Sequence, residues 1–192
     1  FPRRVRGMKV RLATFADVPG MTAVLNAVIA LGGTTAHELP KSETEVLHNH
    51  VDGPDVLSSV VAEAEGEIIG WQAVEMWDGD PHIGSFVRPG LQAKGAGGAM
   101  FALTCQTLRA RGVGYIIAFI RADNVPGLAY YDRIGFRDVG QDPLFALNDG
   151  RKVGRIHRLW QLPRLPLHPA ADRRRRRHQR RPRYRDRPGK RA

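Results

Sequence analysis

The sequence has little cysteine: Cys105 is the only one among 192 residues. A single thiol cannot form an internal disulfide framework, and it cannot supply a zinc site built from several cysteines. These absences point to a reducing compartment, and a cytoplasmic location is predicted. Cys105 itself falls among apolar residues of a predicted helix, where we expect a buried thiol that fills space.

Long hydrophobic runs are also missing. The best apolar stretch, residues 21–31, contains Asn26 and is shorter than the ~20 residues that a membrane-spanning helix needs. A soluble protein without membrane association is therefore expected. Residues 1–7 lack the apolar stretch of a signal peptide. Because Phe1 is not an initiator and Met8 is the first plausible start, those residues are a tag scar, an upstream translation or a real extension.

Excess charge is confined to one end of the chain, although the formal net charge is +11. Residues 163–192 contain 13 Lys and Arg against 2 Asp and Glu, whereas residues 1–162 contain 17 of each kind. The globular part therefore shows no basic footprint for a polyanion. We predict a basic extension at 1–7, one domain at 8–162 and a disordered Arg-rich tail at 163–192, since the tail has almost nothing apolar to bury.

The tail leaves a second hypothesis open. A nucleic-acid-associated protein would use it for salt-dependent, sequence-blind phosphate contacts, with a catalytically degenerate domain attached. Tyr184 is the only aromatic residue of the tail, which gives little support to stacking on single strands. An acidic partner or a change of reading frame near Pro163 explains the composition as well.

What the sequence does contain is the pattern of an α/β domain, and its 42% hydrophobic content is enough for a core. Capping-box pairs at Thr14 with Asp17 and at Ser42 with Glu45 predict two helix starts. A crossover through a long helix makes the fourth strand parallel to the fifth. The predicted strands are 10–12, 57–64, 67–77, 82–88, 115–120 and 152–162, and the predicted helices are 18–31, 42–51, 99–110 and 124–135.

One glycine-rich segment, PGLQAKGAGGA, lies between a predicted strand and a predicted helix. Backbone N–H groups converge at such a junction and the helix dipole favours negative charge, so the segment is suited to hold a phosphate. A dinucleotide fingerprint from Gly95 would need glycine in place of Met100, and a Walker loop from Gly90 would need Lys-Ser/Thr at 96–97. Both fail, and the form that remains is Q-x-x-G-x-G at residues 92–97.

This loop resembles the pyrophosphate-binding loop of the GNAT family of N-acetyltransferases. Three further features are similar in the same order: RLATFAD at 11–17, NVPGLAYYDRIGF at 124–136 and the order of the strands. The resemblance covers residues 8–162 and is greatest to the branch with phosphinothricin and other small-amine or amino-acid acetyltransferases. It implies a mixed, mostly antiparallel central sheet with a parallel pair of fourth and fifth strands, flanked by helices on both faces.

The resemblance implies a set of residues around acetyl coenzyme A (acetyl-CoA), the cosubstrate. Glycines let the backbone approach the pyrophosphate without a Cβ in the way, although a plain flexible loop is the alternative. The preceding strand would pair its backbone with the pantetheine arm, and Asn124 would bond that arm or act as an ordinary helix cap. The predicted cofactor-binding residues are Phe86, Val87, Gln92, Ala93, Lys94, Gly95, Ala96, Gly97, Gly98, Ala99 and Asn124.

The resemblance also implies direct attack of a primary amine on the thioester, through a tetrahedral intermediate. Thioester aminolysis expels a thiolate, which a positioned phenol can protonate. Tyr131 is the candidate acid, with Tyr130 as the substitute if the register differs by one, and a core tyrosine is the alternative. The amine must also lose a proton, for which Glu75 and His82 are candidate bases beside surface or structural roles.

The acceptor side has fewer signals. The loop with His37 and Glu38 would by resemblance line the acceptor pocket, and a solvated loop is the alternative. His48 and His50 are two apart on a helix and so on different faces, and no metal site is predicted. Family members act on antibiotics, amino acids, polyamines and protein termini, so the acceptor is not fixed. Dimerisation is common in such enzymes, and a homodimer is one expected state.

Overall fold

The computed structural model describes residues 3–4, 7–92 and 94–162, and the chain separates into two units between Leu162 and Pro163. The predicted tail at 163–192, most of the predicted extension at 1–7 and the predicted cofactor residue Ala93 lie outside the described residues.

Seven strands form the main sheet: β1 Lys9–Leu12, β2 Val56–Ala64, β3 Glu67–Trp77, β4 Asp80–Val87, β5 Tyr115–Arg121, β6 Arg137–Gln141 and β7 Arg155–Gln161. Their order across the sheet is β1-β2-β3-β4-β5-β7-β6. Neighbouring strands are antiparallel except β4 and β5, which are parallel. The predicted mixed sheet with parallel fourth and fifth strands is confirmed.

The parallel pair is short. β4 pairs with β5 only at His82 opposite Ile117, whereas its other edge pairs with β3 from Trp77 opposite Asp80 to Gly70 opposite Val87. Within the described residues, the edge of β4 that faces β5 therefore has no strand partner after residue 82. The sheet opens between these two strands, and the opening positions the site.

Helices cover both faces of the sheet, as predicted. On one face, α1 (Val18–Leu31) and α2 (Glu43–His50) pack over the buried Trp71 of β3. On the other face, α3 (Ala96–Ala110) and α4 (Val125–Arg133) pack against β2 and β5. Cys105 of α3 is buried in an apolar cluster, which confirms that it fills space as predicted. Burial raises the pKa of its thiol to about 11.

The first predicted cap is part of a small ionic cluster before α1. The Asp17 carboxylate accepts from the Thr14 amide at 2.7 Å and from both terminal nitrogens of Arg11 at 2.7 Å each. Arg11 also donates to Glu63 of β2 at 2.8 Å. These contacts tie the start of the helix to the edge of the sheet, and the Arg11 hydrogen bonds hold the pKa of the buried Asp17 below its ordinary value.

Asp17→Ala is expected to lower the free energy of unfolding by about 2–3 kcal/mol at neutral pH, because charge-assisted hydrogen bonds are lost. Since the folded pKa of Asp17 is depressed, its contribution is present above about pH 4 and is lost as the pH falls through the folded value. Urea titrations at pH 7 and at pH 3 would show a smaller difference from the wild type at pH 3. A difference that does not change with pH would contradict this account, and Glu63→Ala, at a more exposed carboxylate, serves as the milder control.

The last predicted strand differs in detail. The predicted strand 152–162 is two strands, since Lys152–Val153 pairs with Phe145–Ala146 and only Arg155–Gln161 joins the main sheet. Gly154 separates them because its carbonyl accepts from Ala122 at 2.9 Å, outside either ladder. β5 lies in the middle of the sheet, and from Tyr115 to Ile120 its residues alternate between partly and fully buried. A further short parallel pair joins Arg3–Arg4 to Leu91–Gln92.

Candidate active site

A cleft of about 900 Å³ lies where β4 and β5 separate. It brings together eight of the predicted site residues, namely Tyr131, Glu75, His82, Phe86, Val87, Gly97, Asn124 and His37. Six other predicted site residues lie within the described structure but do not line the cleft, namely Glu38, Lys94, Gly95, Ala96, Gly98 and Ala99. The structure thus gathers the catalytic candidates and part of the cofactor set around one volume.

The N-terminus of α3 forms one end of the site. Gly95 caps the helix in a left-handed conformation with φ +86°, which glycine adopts without strain. The first helical hydrogen bond runs from the Ala99 amide to the Gly95 carbonyl at 3.0 Å, so the amides of residues 96–98 have no acceptor inside the helix. These amides fit a pyrophosphate, whereas the amide of Ala99 is already used.

The close approach of α4 explains why residue 97 is glycine. The Tyr130 hydroxyl donates to the Gly97 carbonyl at 2.9 Å and accepts from Gln72 Nε2 at 2.6 Å. A Cβ on Gly97 would lie 2.5 Å from Tyr130 Cε2, whereas a Cβ on Gly98 would meet no atom within 4 Å. Tyr130 therefore connects the glycine loop to the core of the sheet, and burial raises the pKa of its phenol to about 12.

Tyr131 is placed differently from its neighbour. Its side chain is buried, and its hydroxyl lies 2.9 Å from Ser85 Oγ on β4. Burial raises the pKa of the Tyr131 phenol above its ordinary value, so the group keeps its proton at neutral pH. Tyr131 thus presents a protonated phenol at the unpaired part of β4.

Glu75 is paired with a histidine from α2. Its Oε1 lies 2.6 Å from His50 Nδ1, and the two side chains are 19% and 16% exposed. The His50 ring packs on Trp71 with ring centres 5.0 Å apart, which holds the pair between α2 and β3. Both residues line the cleft.

His82 lies opposite Glu75 in the β3–β4 register but sits among aromatic rings. Its ring centre is 4.9 Å from that of Trp77 and 4.6 Å from that of Phe119. Burial is the main cause that lowers the pKa of His82, so the neutral imidazole is favoured near pH 7.

The loop residues predicted around the ligands have defined contacts. Asn124 caps α4 by accepting from the Gly127 amide at 3.0 Å, and its Nδ2 donates to the Thr34 carbonyl at 2.8 Å. The ordinary helix-cap interpretation is therefore confirmed. His37 is half-buried with its ring centre 6.5 Å from that of Phe86, and burial lowers its pKa. Glu38 instead accepts from the Asn148 amide at 2.7 Å, outside the cleft.

Sequence reasoning missed three polar residues of the site. Ser85 and Gln72 are cross-strand partners, and the buried Gln72 also accepts from the Thr104 hydroxyl at 3.1 Å. Polar residues inside the predicted strands 67–77 and 82–88 are an available signal, because buried polar groups need partners. His50 was considered only as a metal ligand, since nothing in its spacing shows that Glu75 is its neighbour.

The split sheet and the glycine loop beside the cleft define an acyltransferase architecture. Residues 29–136 match the acetyltransferase (GNAT) family, and the chain belongs to that family. The resemblance stated from the loop and the NVPGLAYYDRIGF segment is confirmed.

Individual relatives agree with the branch expected from the sequence. An L-methionine sulfoximine/L-methionine sulfone acetyltransferase of Pseudomonas paraeruginosa is 28% identical over 158 residues, covering 76% of this chain and 87% of that protein. A phosphinothricin acetyltransferase from Sinorhizobium meliloti, solved in complex with acetyl-CoA, has a TM-score of 0.69 at 21% identity and covers 81% of this chain and 88% of its own. An N-acetyltransferase from Staphylococcus aureus Mu50 has a TM-score of 0.71 at 14% identity, over 82% of this chain and 99% of its own.

Over the described residues, each helix is too short or too polar to cross a membrane.

Proposed function

We propose that this protein transfers an acetyl group from acetyl-CoA to a primary amine of a small molecule or amino acid by direct attack. The observation that carries the proposal is the shared cleft, where the unpaired edge of β4, Gly97 of the α3 N-terminus and the Tyr131 phenol meet. Acetyl-CoA supplies the acetyl group as a thioester. The protein supplies binding, orientation and proton transfer.

The cofactor side rests on two sets of backbone groups. The amides of residues 96–98 suit the pyrophosphate, helped by the dipole of α3. The free edge of β4 at Phe86 and Val87 suits the amides of a pantetheine arm, which would add to the sheet as an extra strand does. Lys94 is exposed beside this loop and adds a positive charge.

The proton transfers of the reaction are assigned to side chains that line the cleft. Tyr131 supplies a proton to the departing sulfur, with Ser85 fixing the direction of its hydroxyl. Glu75 and His82 lie on the other face of the cleft as candidate groups for the amine proton. Attack at the opening between β4 and β5 would place the amine between these two sets.

The acceptor class follows from the relatives. Their named substrates are methionine sulfoximine, methionine sulfone and phosphinothricin, all small molecules with a primary amine. We infer an acceptor of this size for the present chain, bound on the side of the cleft that holds His37 and Glu75.

The test uses the full chain. Calorimetry with acetyl-CoA is expected to show saturable one-site binding. The enzyme is then tested on an amine panel that includes L-methionine sulfone, spermidine and an alanine-terminated peptide. For at least one amine we expect release of free thiol and an acetylated product about 42 Da heavier. The amounts of thiol and acetylated product should be about equal. Binding without transfer to any amine would contradict the proposed activity, and absence of binding would contradict the proposed cofactor.

Two expectations stay predictions. They are the cytoplasmic location, which rests on the single cysteine, and the homodimer. The alternative hypothesis of a nucleic-acid-associated protein concerns the Arg-rich segment 163–192, which lies outside the described residues.

A further inference from the structure

The His50–Glu75 pair joins two elements that are distant in sequence. His50 is the last residue of α2 and Glu75 belongs to β3, and their side chains meet at 2.6 Å on the wall of the cleft. A carboxylate that accepts from Nδ1 of a histidine fixes the tautomer of the ring and leaves Nε2 as the basic nitrogen. The Trp71 ring on one side restricts the orientation of the imidazole further.

The pair faces the same volume as the proposed acid. The negative charge of Glu75 is close enough to Tyr131 to contribute to the raised pKa of that phenol. Tyr131 reaches the cleft from the α3 and α4 face, whereas the pair reaches it from the α1 and α2 face. A substrate nitrogen placed between β4 and β5 would thus have a base on one side and an acid on the other.

We propose that His50 is the base that takes the proton of the acceptor amine, with Glu75 as the positioning residue that holds its ring. The inference rests on the proposed function and assigns a role within it. His82 was a candidate base together with Glu75. It is enclosed by Trp77 and Phe119, and among the described residues it forms no hydrogen bond to a carboxylate.

The proton transfers balance with this assignment. The ammonium of the acceptor gives one proton to His50 Nε2, which passes it to water, and the neutral nitrogen then forms the new C–N bond to the acetyl carbonyl carbon. The C–S bond breaks and the sulfur takes a proton from Tyr131. The phenol is restored by the second proton that the nitrogen loses. One proton ends on the thiol and one in solution, and the amide nitrogen keeps one hydrogen.

The experiment compares His50→Gln, Glu75→Gln and the wild type in the full chain, using the amine with the highest turnover in the panel. His50→Gln is expected to lower kcat/KM for the amine by about 10²–10⁴-fold, the usual contribution of a general base. Glu75→Gln is expected to lower it by about tenfold or more, since the ring keeps a partner but loses the charge. Two other titratable groups are profiled alongside, as His37→Gln and His82→Gln. The charge of His50 acts on His37, and His82 lies opposite Glu75 in the β3–β4 register.

Two readouts separate this role from a structural one. In the wild type, kcat/KM should fall at low pH as the base is protonated. This fall should disappear in His50→Gln and persist in His37→Gln and His82→Gln. The Kd of His50→Gln for acetyl-CoA should stay within about threefold of the wild-type value. In ¹⁵N NMR the wild-type His50 ring should show the Nδ1–H tautomer, and Glu75→Ala should mix the tautomers. His48→Gln is the matched control, because it removes an imidazole from an exposed position on the same helix that also lines the cleft.

The outcomes distinguish the two proposals. Wild-type protein that binds acetyl-CoA but acetylates no amine would overturn the proposed function and this role with it. Turnover in the wild type that His50→Gln leaves unchanged would overturn the base assignment alone. Loss of the acidic limb in His82→Gln rather than in His50→Gln would move the base to His82 and would also overturn it.

Discussion

Tyr131→Phe is expected to lower kcat by about 10²–10⁴-fold while changing the Kd for acetyl-CoA by less than about threefold. The substitution removes only the hydroxyl, which contacts Ser85 Oγ at 2.9 Å, and leaves the buried ring in place. A departing thiolate then loses the donor that Tyr131 supplies. Steady-state kinetics with thiol detection, together with calorimetry for the Kd, would measure the two effects separately.

Tyr130→Phe is the matched control, because the same atom is removed from the adjacent residue. Its hydroxyl contacts Gln72 and the Gly97 carbonyl, so its loss is expected to lower the free energy of unfolding by about 1–3 kcal/mol. The Kd for acetyl-CoA is expected to change by a larger factor than kcat, because Gly97 belongs to the proposed pyrophosphate loop. A kcat for Tyr131→Phe within a few-fold of the wild type would refute the acid role. The reverse pattern, with kcat lost in Tyr130→Phe alone, would assign the acid to Tyr130.

Gly98→Glu is expected to abolish measurable acetyl-CoA binding, a loss of at least about 100-fold in affinity. It places a carboxylate in the first turn of α3, where the pyrophosphate is proposed to bind, and like charges at close range repel strongly. Fold stability should be retained, since the position is exposed, has room for a Cβ and lies where a helix tolerates negative charge. Calorimetry of the folded variant, checked by circular dichroism, measures the loss.

Gly98→Gln separates charge from size, because glutamine has nearly the same shape as glutamate. It is expected to retain affinity within about tenfold of the wild type. Equal losses in both variants would indicate a steric effect, and unchanged binding in Gly98→Glu would place the pyrophosphate elsewhere. Gly97 is unsuitable for this test, since any side chain there would collide with Tyr130.

Most of the fold was predictable because its signals are local. The capping pair of Ser42 and Glu45 is present, with the Glu45 amide donating to Ser42 Oγ at 3.2 Å and the Ser42 amide donating to Glu45 Oε2 at 2.8 Å. The parallel pairing of β4 and β5 was also predictable from chain order, because a helical crossover connects the two strands. The final strand was predicted less well. The break at Gly154 depends on the Ala122 amide, which donates to the Gly154 carbonyl and is far away in the sequence.

The site also has parts that the sequence predicts and parts that depend on the tertiary structure. The sequence by itself determined the α/β class, the family, the glycine loop and the tyrosine pair, because each is encoded in residues that are adjacent in the chain. Only the tertiary structure decided that Tyr131 meets Ser85, that Tyr130 holds the glycine loop and that His50 pairs with Glu75. Those contacts join residues 25 to 46 positions apart, and their geometry depends on the packing of helices on both faces of the sheet, which no local pattern records.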